Sequence, residues 1–205
     1  MFTLIALVAL LFSFAACNDD GEKKTEPVSK KDSLVTKEEP VAPKRAPVIN
    51  ITDTLSVKRI VLTIKDSAAS MERARLKLNE IYGVKLATVI KKNKLKTTGA
   101  PMAWYKTHKP PYFFEAGIPV DKKPSKIASG VQVKETSVDS AIVAHFYGPY
   151  DLLPQVYDIV KDMLKERKKK LKYPAYEIYV DDPVDSTGRP KDPYRVQTVV
   201  VFPLK

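Results

Sequence analysis

Two stretches of this chain run through the same periodicities in the same order. Ile60-Val61-Leu62-Thr63-Ile64 is β-branched and apolar, which predicts a strand. Past Lys65-Asp66-Ser67, the positions Met71, Ala74, Leu78, Ile81, Leu86 and Val89 fall on one face at a spacing near 3.6. That spacing predicts a long helix capped by Ser70, with Gly83 inside it as a point of close packing. The pattern fades at Lys91-Lys92-Asn93-Lys94, and Gly99 and Pro101 mark the exit. Strands at Met102–Thr107 and Tyr112–Val120 follow, turned at Pro110-Pro111.

The second stretch opens with alternation over Ser140–Tyr147 and a turn at Gly148-Pro149-Tyr150. Asp151 then caps a helix lined by Leu152, Val156, Ile159 and Met163, which ends in the cationic run Lys165–Lys170. Strands Ala175–Val180 and Tyr194–Phe202 complete the unit, and Lys126–Glu135 supplies one extra strand between the halves. Pro101-Met102-Ala103-Trp104-Tyr105 after the first helix answers Pro174-Ala175-Tyr176-Glu177-Ile178-Tyr179 after the second. The reading is an α+β fold of duplicated β-α-β-β modules of the SHS2 type. They form an antiparallel sheet with two long helices on one face.

The front of the chain is different. Phe2–Ala16 carries no charge, and its roughly fifteen apolar residues are too short to span a bilayer but suit a signal-peptide core. Phe14-Ala15-Ala16-Cys17 resembles a lipobox, where bacterial lipoproteins are lipidated on cysteine and cleaved before it. Phe14 stands where Leu is usual, and no Lys or Arg precedes the apolar run. The other reading is a plain secretory signal with an incidental cysteine. From Asn18 to Lys58 there is no aromatic residue, four prolines interrupt, and eight basic residues balance eight acidic ones. Such a stretch buries too little apolar surface to offset its ordering entropy. The expected organisation is a signal peptide at 1–16, a lipidated Cys17 heading a disordered tether at 17–58, and a folded body at 59–205. Localisation follows: a bacterial cell envelope, lipid-anchored.

Charge and chemistry narrow the function. The chain has 35 Lys and Arg against 24 Asp and Glu, and the excess of +11 falls in the folded part. One cysteine excludes an intramolecular disulfide framework, and two histidines, His108 and His145, leave little for a metal site. No glycine-rich phosphate loop and no Ser-His-Asp or Cys-His arrangement is legible, so no catalytic residue, cofactor or metal is assigned. The basic helix ends form either a patch for anionic lipid headgroups or a plain solvated surface. Nucleic acid is not expected as a partner, because no helix-turn-helix accompanies the domain.

Four segments in register resemble the GyrI-like small-molecule-binding domain, also found as the effector-binding domain of AraC- and MerR-type activators. They are Gly99-Ala100-Pro101 leading to Trp104-Tyr105; Phe114-Glu115-Ala116-Gly117-Ile118-Pro119-Val120; His145-Phe146-Tyr147-Gly148-Pro149-Tyr150-Asp151; and Glu177-Ile178-Tyr179-Val180-Asp181-Asp182-Pro183. The resemblance implies a ligand groove on the face of the sheet away from the helices and at the seam between the repeats, aromatic-walled and binding lipophilic, often cationic, organic molecules against a carboxylate. Some relatives of this type instead hydrolyse reactive electrophiles, in which case the groove Glu would act as general base.

The resemblance places a ligand-contacting Glu at Glu177, with Tyr179 and Tyr105 in matching repeat positions beside the groove. Alternation gives Tyr176, Ile178 and Val180 one face of their strand and Glu177 and Tyr179 the other. The apolar set is the expected helix-facing core, which puts Glu177 on the uncovered side. The alternative is a surface Glu paired with a lysine. Trp104, Tyr112 and Phe114 are walls or packing; Glu115 is a rim acid or simply solvated; Tyr147 and Tyr150 flank the turn that the family uses for groove-lining aromatics.

Overall fold

The computed structural model describes residues 45–205. The expected signal peptide, Cys17 and the front of the expected tether lie outside these residues. The described elements are β1 (Val48–Leu55), β2 (Arg59–Ala68), α1 (Met71–Glu80), a π-helical stretch (Ile81–Leu86), α2 (Ala87–Lys92), β3 (Met102–Tyr105) and β4 (Tyr112–Val120). They continue with β5 (Val131–Thr136), β6 (Ser140–Tyr147), α3 (Pro154–Glu166), β7 (Tyr176–Tyr179) and β8 (Gln197–Pro203). All pairings are antiparallel, in one eight-stranded sheet ordered β1-β6-β8-β7-β3-β4-β2-β5.

That order is a palindrome of the two modules. β2-β4-β3 mirrors β6-β8-β7 about the short β3–β7 pairing, where Met102 faces Ile178 and Ala103 faces Glu177. Each module also owns a leading strand, and the two are exchanged. β1 precedes β2 but pairs along its whole length with β6; β5 precedes β6 but pairs with β2. Folding therefore begins earlier than Arg59, inside the segment whose composition reads as tether. β1 is ordered because its backbone completes the β6 edge while Ile49 and Ile51 pack against the α3 core. Three-residue links, Ser56-Val57-Lys58 and Ser137-Val138-Asp139, join each leading strand to the next and are bonded together. Ser56 Oγ donates to the Ser137 carbonyl at 2.8 Å, and the Asp139 amide donates to Ser56 Oγ at 2.9 Å.

Both helical stretches lie on one side of the sheet. Leu62, Phe114, Ala116 and Ile118 bury against Ala74, Leu78, Ile81 and Leu86; Ile142, Ala144, Val200 and Phe202 bury against Leu153, Val156 and Val160. These are separate clusters, one over β2 and β4, the other over β6 and β8. The central strands β3 and β7 lie beneath the seam between them. On the other side, Val61 of β2 and Ala141 and Val143 of β6 meet Met102, Trp104, Tyr176 and Val201 in a third cluster. β2 and β6 stand five places apart in the sheet, about 24 Å if it were flat, so the sheet is strongly curled.

Local signals held in part. The Ser70 hydroxyl accepts from the Arg73 amide, as an N-cap should. Asp151 caps nothing: a 3₁₀ turn at Tyr150–Leu152 leads to Leu153, and Pro154 opens α3 with its fixed φ. The buried face of α3 is Leu153, Val156 and Val160, whereas Ile159 is exposed. Gly83 has open space where a Cβ would sit, so it is no packing point; it lies in the π-helical stretch. Gly117 is the close-packed one, because a Cβ there would stand 2.6 Å from Val61 Cγ1.

Candidate functional site

Glu177 is 3% exposed, and it lies on the helix side of the sheet rather than the uncovered side. The face assigned to β7 is thus reversed: Tyr176 and Ile178 pack into the cluster opposite the helices, and Glu177 and Tyr179 project into the seam between them. Tyr176 and Glu177 are both buried, so apolar character could not distinguish the faces. Across the ladder from Glu177 stands Ala103, whose methyl leaves space above the acid. The space is a cavity of about 690 Å³. Its walls are Met71, Arg75 and Tyr82 of the first helical stretch and Tyr150, Leu153 and Pro154 at the start of the second.

Both carboxylate oxygens of Glu177 are engaged. Tyr157 Oη on α3 donates to Oε1 at 2.9 Å, and Tyr179 Oη donates to Oε2 at 2.8 Å. Tyr105 Oη is 3.3 Å from Tyr179 Oη. With the Tyr179 proton committed to the carboxylate, Tyr105 is the group able to donate in turn. Among the described residues no Lys or Arg forms an ion pair with Glu177. Burial without a counter-ion pushes its pKa up to about 7, against the opposing pull of the Tyr179 and Tyr157 hydrogen bonds. Burial, with the acid close by, likewise raises the Tyr157 and Tyr179 hydroxyls well above their ordinary range.

The remaining walls are aromatic. The Tyr150 and Tyr179 rings meet edge to face at 6.0 Å, Tyr82 and Tyr179 at 6.4 Å, and His108 lies over Tyr157 at 4.0 Å. The π-helical stretch carries Tyr82 into the seam, where its hydroxyl is tied to the Met102 carbonyl at 2.8 Å. Arg75 stands at the mouth with its guanidinium 5.6 Å from the Tyr150 ring centre, and Asp181 and Asp182 line the same mouth. Thr198, beside Tyr179 on β8, is buried with its hydroxyl near that of Tyr150.

The seam therefore brings together Glu177, Tyr179, Tyr105 and Tyr150 of the residues singled out by sequence. It leaves out the others. Trp104 and Glu115 lie on the opposite face, with Lys134 Nζ 4.2 Å from the Trp104 ring centre and bonded to Glu115. Phe114 is buried in the core under the first helical stretch, against Tyr105. Tyr112 is buried at the start of β4 and Tyr147 ends β6, and neither lines the seam. His145 is tied to Gln197 at 2.9 Å. Sequence reasoning missed Tyr82, Tyr157, His108 and Arg75. Tyr157 sits one turn from Leu153 on the buried side of α3, and assigning that side one residue off hid it. Among the described residues no cluster of three His, Cys, Asp or Glu side chains could hold a metal ion.

No protein-family model matches the chain, and no curated protein matches it. Solved structures do. The crystal structure of the EcmrR C-terminal domain aligns with a TM-score of 0.63 at 17% identity, covering 77% of this chain and 98% of that one. Its fold is similar to that of the EcmrR C-terminal domain. The EcmrR–DNA complex aligns with a TM-score of 0.64 at 18% identity, but there the chain spans only 57% of EcmrR. An uncharacterized conserved protein from Listeria innocua aligns at 0.51 with 13% identity, over 80% of this chain and 94% of that one. The duplicated α+β architecture, with two helical stretches over one antiparallel sheet, is thereby shared with solved proteins, the first of them a C-terminal domain.

Proposed function

We propose that the folded body is a small-molecule-binding domain that captures lipophilic organic cations in the helix seam, with Glu177 as the counter-charge. One observation carries this reading: a carboxylate 3% exposed, ringed by tyrosines and without a cationic partner among the described residues, lies at the base of an open cavity. Such a group is costly to ionise alone and gains most by meeting a positive charge that arrives with its own apolar surface. The ring faces add about 0.5–2 kcal/mol for a cation held against them. The GyrI-like effector-binding resemblance supports the same ligand class. Under this proposal Cys17 carries a lipid anchor, and the body works at a bacterial cell envelope.

The test is titration calorimetry with tetraphenylphosphonium and a neutral triaryl compound of similar size. The cation should bind, and Glu177→Gln should weaken it at least tenfold while leaving the neutral compound unchanged. Equal binding of both compounds, or an unaffected Glu177→Gln, would overturn the proposal.

A further inference from the structure

The face of the sheet opposite the helices carries a second hollow, of about 900 Å³, whose character is the reverse of the seam. Its floor is apolar and aromatic, built from Trp104, Tyr176, Tyr173 and Pro203. The Trp104 and Tyr176 rings lie 5.5 Å apart, and half-exposed Phe113 and Val138 extend the apolar surface to the rim. Four carboxylates line it, and each already has a cation. Glu115 pairs with Lys134 at 2.5 Å, Asp139 with Lys172 at 2.5 Å, Asp66 with Lys77 at 2.6 Å and Glu135 with Lys123 at 2.6 Å. Lys58, Lys65 and Lys106 also line the hollow, are exposed, and form no ion pair with any described residue.

We infer that this hollow is a second ligand site, selective for amphipathic organic anions: an apolar body held against the exposed Tyr173, Phe113 and Val138, beside the buried Trp104–Tyr176 pair, and one carboxylate or sulfonate head held by Lys65 and Lys106. Charge decides the class. Three uncommitted ammonium groups surround an apolar floor on which every acid is neutralised, so an anion gains attraction without displacing an existing pair. A lipophilic cation meets net repulsion there. The two hollows share Tyr105 at their border, but Trp104, Lys65 and Lys106 line only this one and Glu177 lines only the seam.

Trp104 is the only tryptophan in the chain, so the hollow contains its own reporter. The probe is 1-anilinonaphthalene-8-sulfonate, an aromatic sulfonate that accepts energy from tryptophan emission. Titrated into the full protein at pH 7.5, it should show saturable energy transfer from Trp104 with about one probe per chain. The double reversal Lys65→Glu/Lys106→Glu, at two exposed positions, should weaken binding at least tenfold. The neutral pair Lys65→Gln/Lys106→Gln should fall between, and near-ultraviolet circular dichroism checks that each variant keeps its packing. Excess tetraphenylphosphonium and Glu177→Gln should leave the transfer unchanged. Absence of saturable transfer, indifference to the charge reversals, or loss of transfer on adding the cation or in Glu177→Gln would overturn the inference.

Discussion

Replacing Glu177 by Gln should remove a pH-dependent load from the fold. In the unfolded chain this carboxyl titrates near the ordinary 4.5; in the folded protein burial holds it near 7. Between these values the folded state binds the proton and the unfolded state does not, so raising the pH favours unfolding. The sign is opposite to that of an acid held in an ion pair. Stability is highest below about pH 4.5 with respect to this group, declines as pH rises, and levels off above 7. At about 1.4 kcal/mol per pH unit, the gap amounts to roughly 3 kcal/mol. Gln cannot ionise, although it keeps similar volume and can still accept from one phenol. Urea unfolding at pH 4.5, 5.5, 6.5, 7.5 and 8.5 should therefore show wild-type stability falling relative to Glu177→Gln by roughly 3 kcal/mol across the series. A difference constant within about 0.5 kcal/mol would refute the buried, uncompensated acid, since other titrating groups are common to both proteins.

The same linkage predicts that tetraphenylphosphonium affinity rises with pH up to about 7 and then levels, with proton release below 7 detectable in buffers of different ionisation enthalpy. Tyr179→Phe and Tyr157→Phe each delete a donor to the carboxylate, so each should raise the Glu177 pKa further and cost about 1–3 kcal/mol of cation binding at pH 7.5, read by calorimetry. Gly117→Ala places a methyl against Val61 and Thr63 in the sheet interior and should cost about 1–3 kcal/mol in urea unfolding. Ser56→Ala unties the two exchanged links at a buried hydroxyl and should cost about 1–3 kcal/mol in the same assay. Under the lipid-anchor proposal, Cys17→Ser moves the full chain from the detergent phase to the aqueous phase on Triton X-114 partitioning, and an unchanged distribution refutes the anchor.

The module order and nearly every strand could be read from hydrophobic periodicity, because β2, β4 and β6 are long and apolar and the helices between them keep a clear stripe. The leading strand β1 could not be. Its surroundings are charged and proline-rich, and only Ile49 and Ile51 pack into the core; the rest of its hold is backbone pairing to β6 and the Asp53–Arg167 ion pair, neither of which leaves an apolar trace. A signal was nevertheless present: Ser56-Val57 and Ser137-Val138 stand at the same distance before β2 and β6, marking a repeat one strand longer than the apolar runs. Tyr105 and Tyr179 stood out as matching repeat positions, whereas Glu177, whose repeat equivalent is Ala103, stood out only through the resemblance of its Glu-Ile-Tyr motif. Their side of the sheet was not legible, because the curled sheet buries both faces of β7 and hydrophobicity cannot choose between two interiors.

The exchange of leading strands also governs how the body responds to being held by its front. Tension applied ahead of Val48 does not reach the neighbouring β2 first; it runs along the eight-residue β1 ladder into β6, in the opposite module. A tug at the amino-terminal side is thus delivered to the half that carries α3 and Tyr157, and the phenol on Glu177 lies on the loaded half of the molecule.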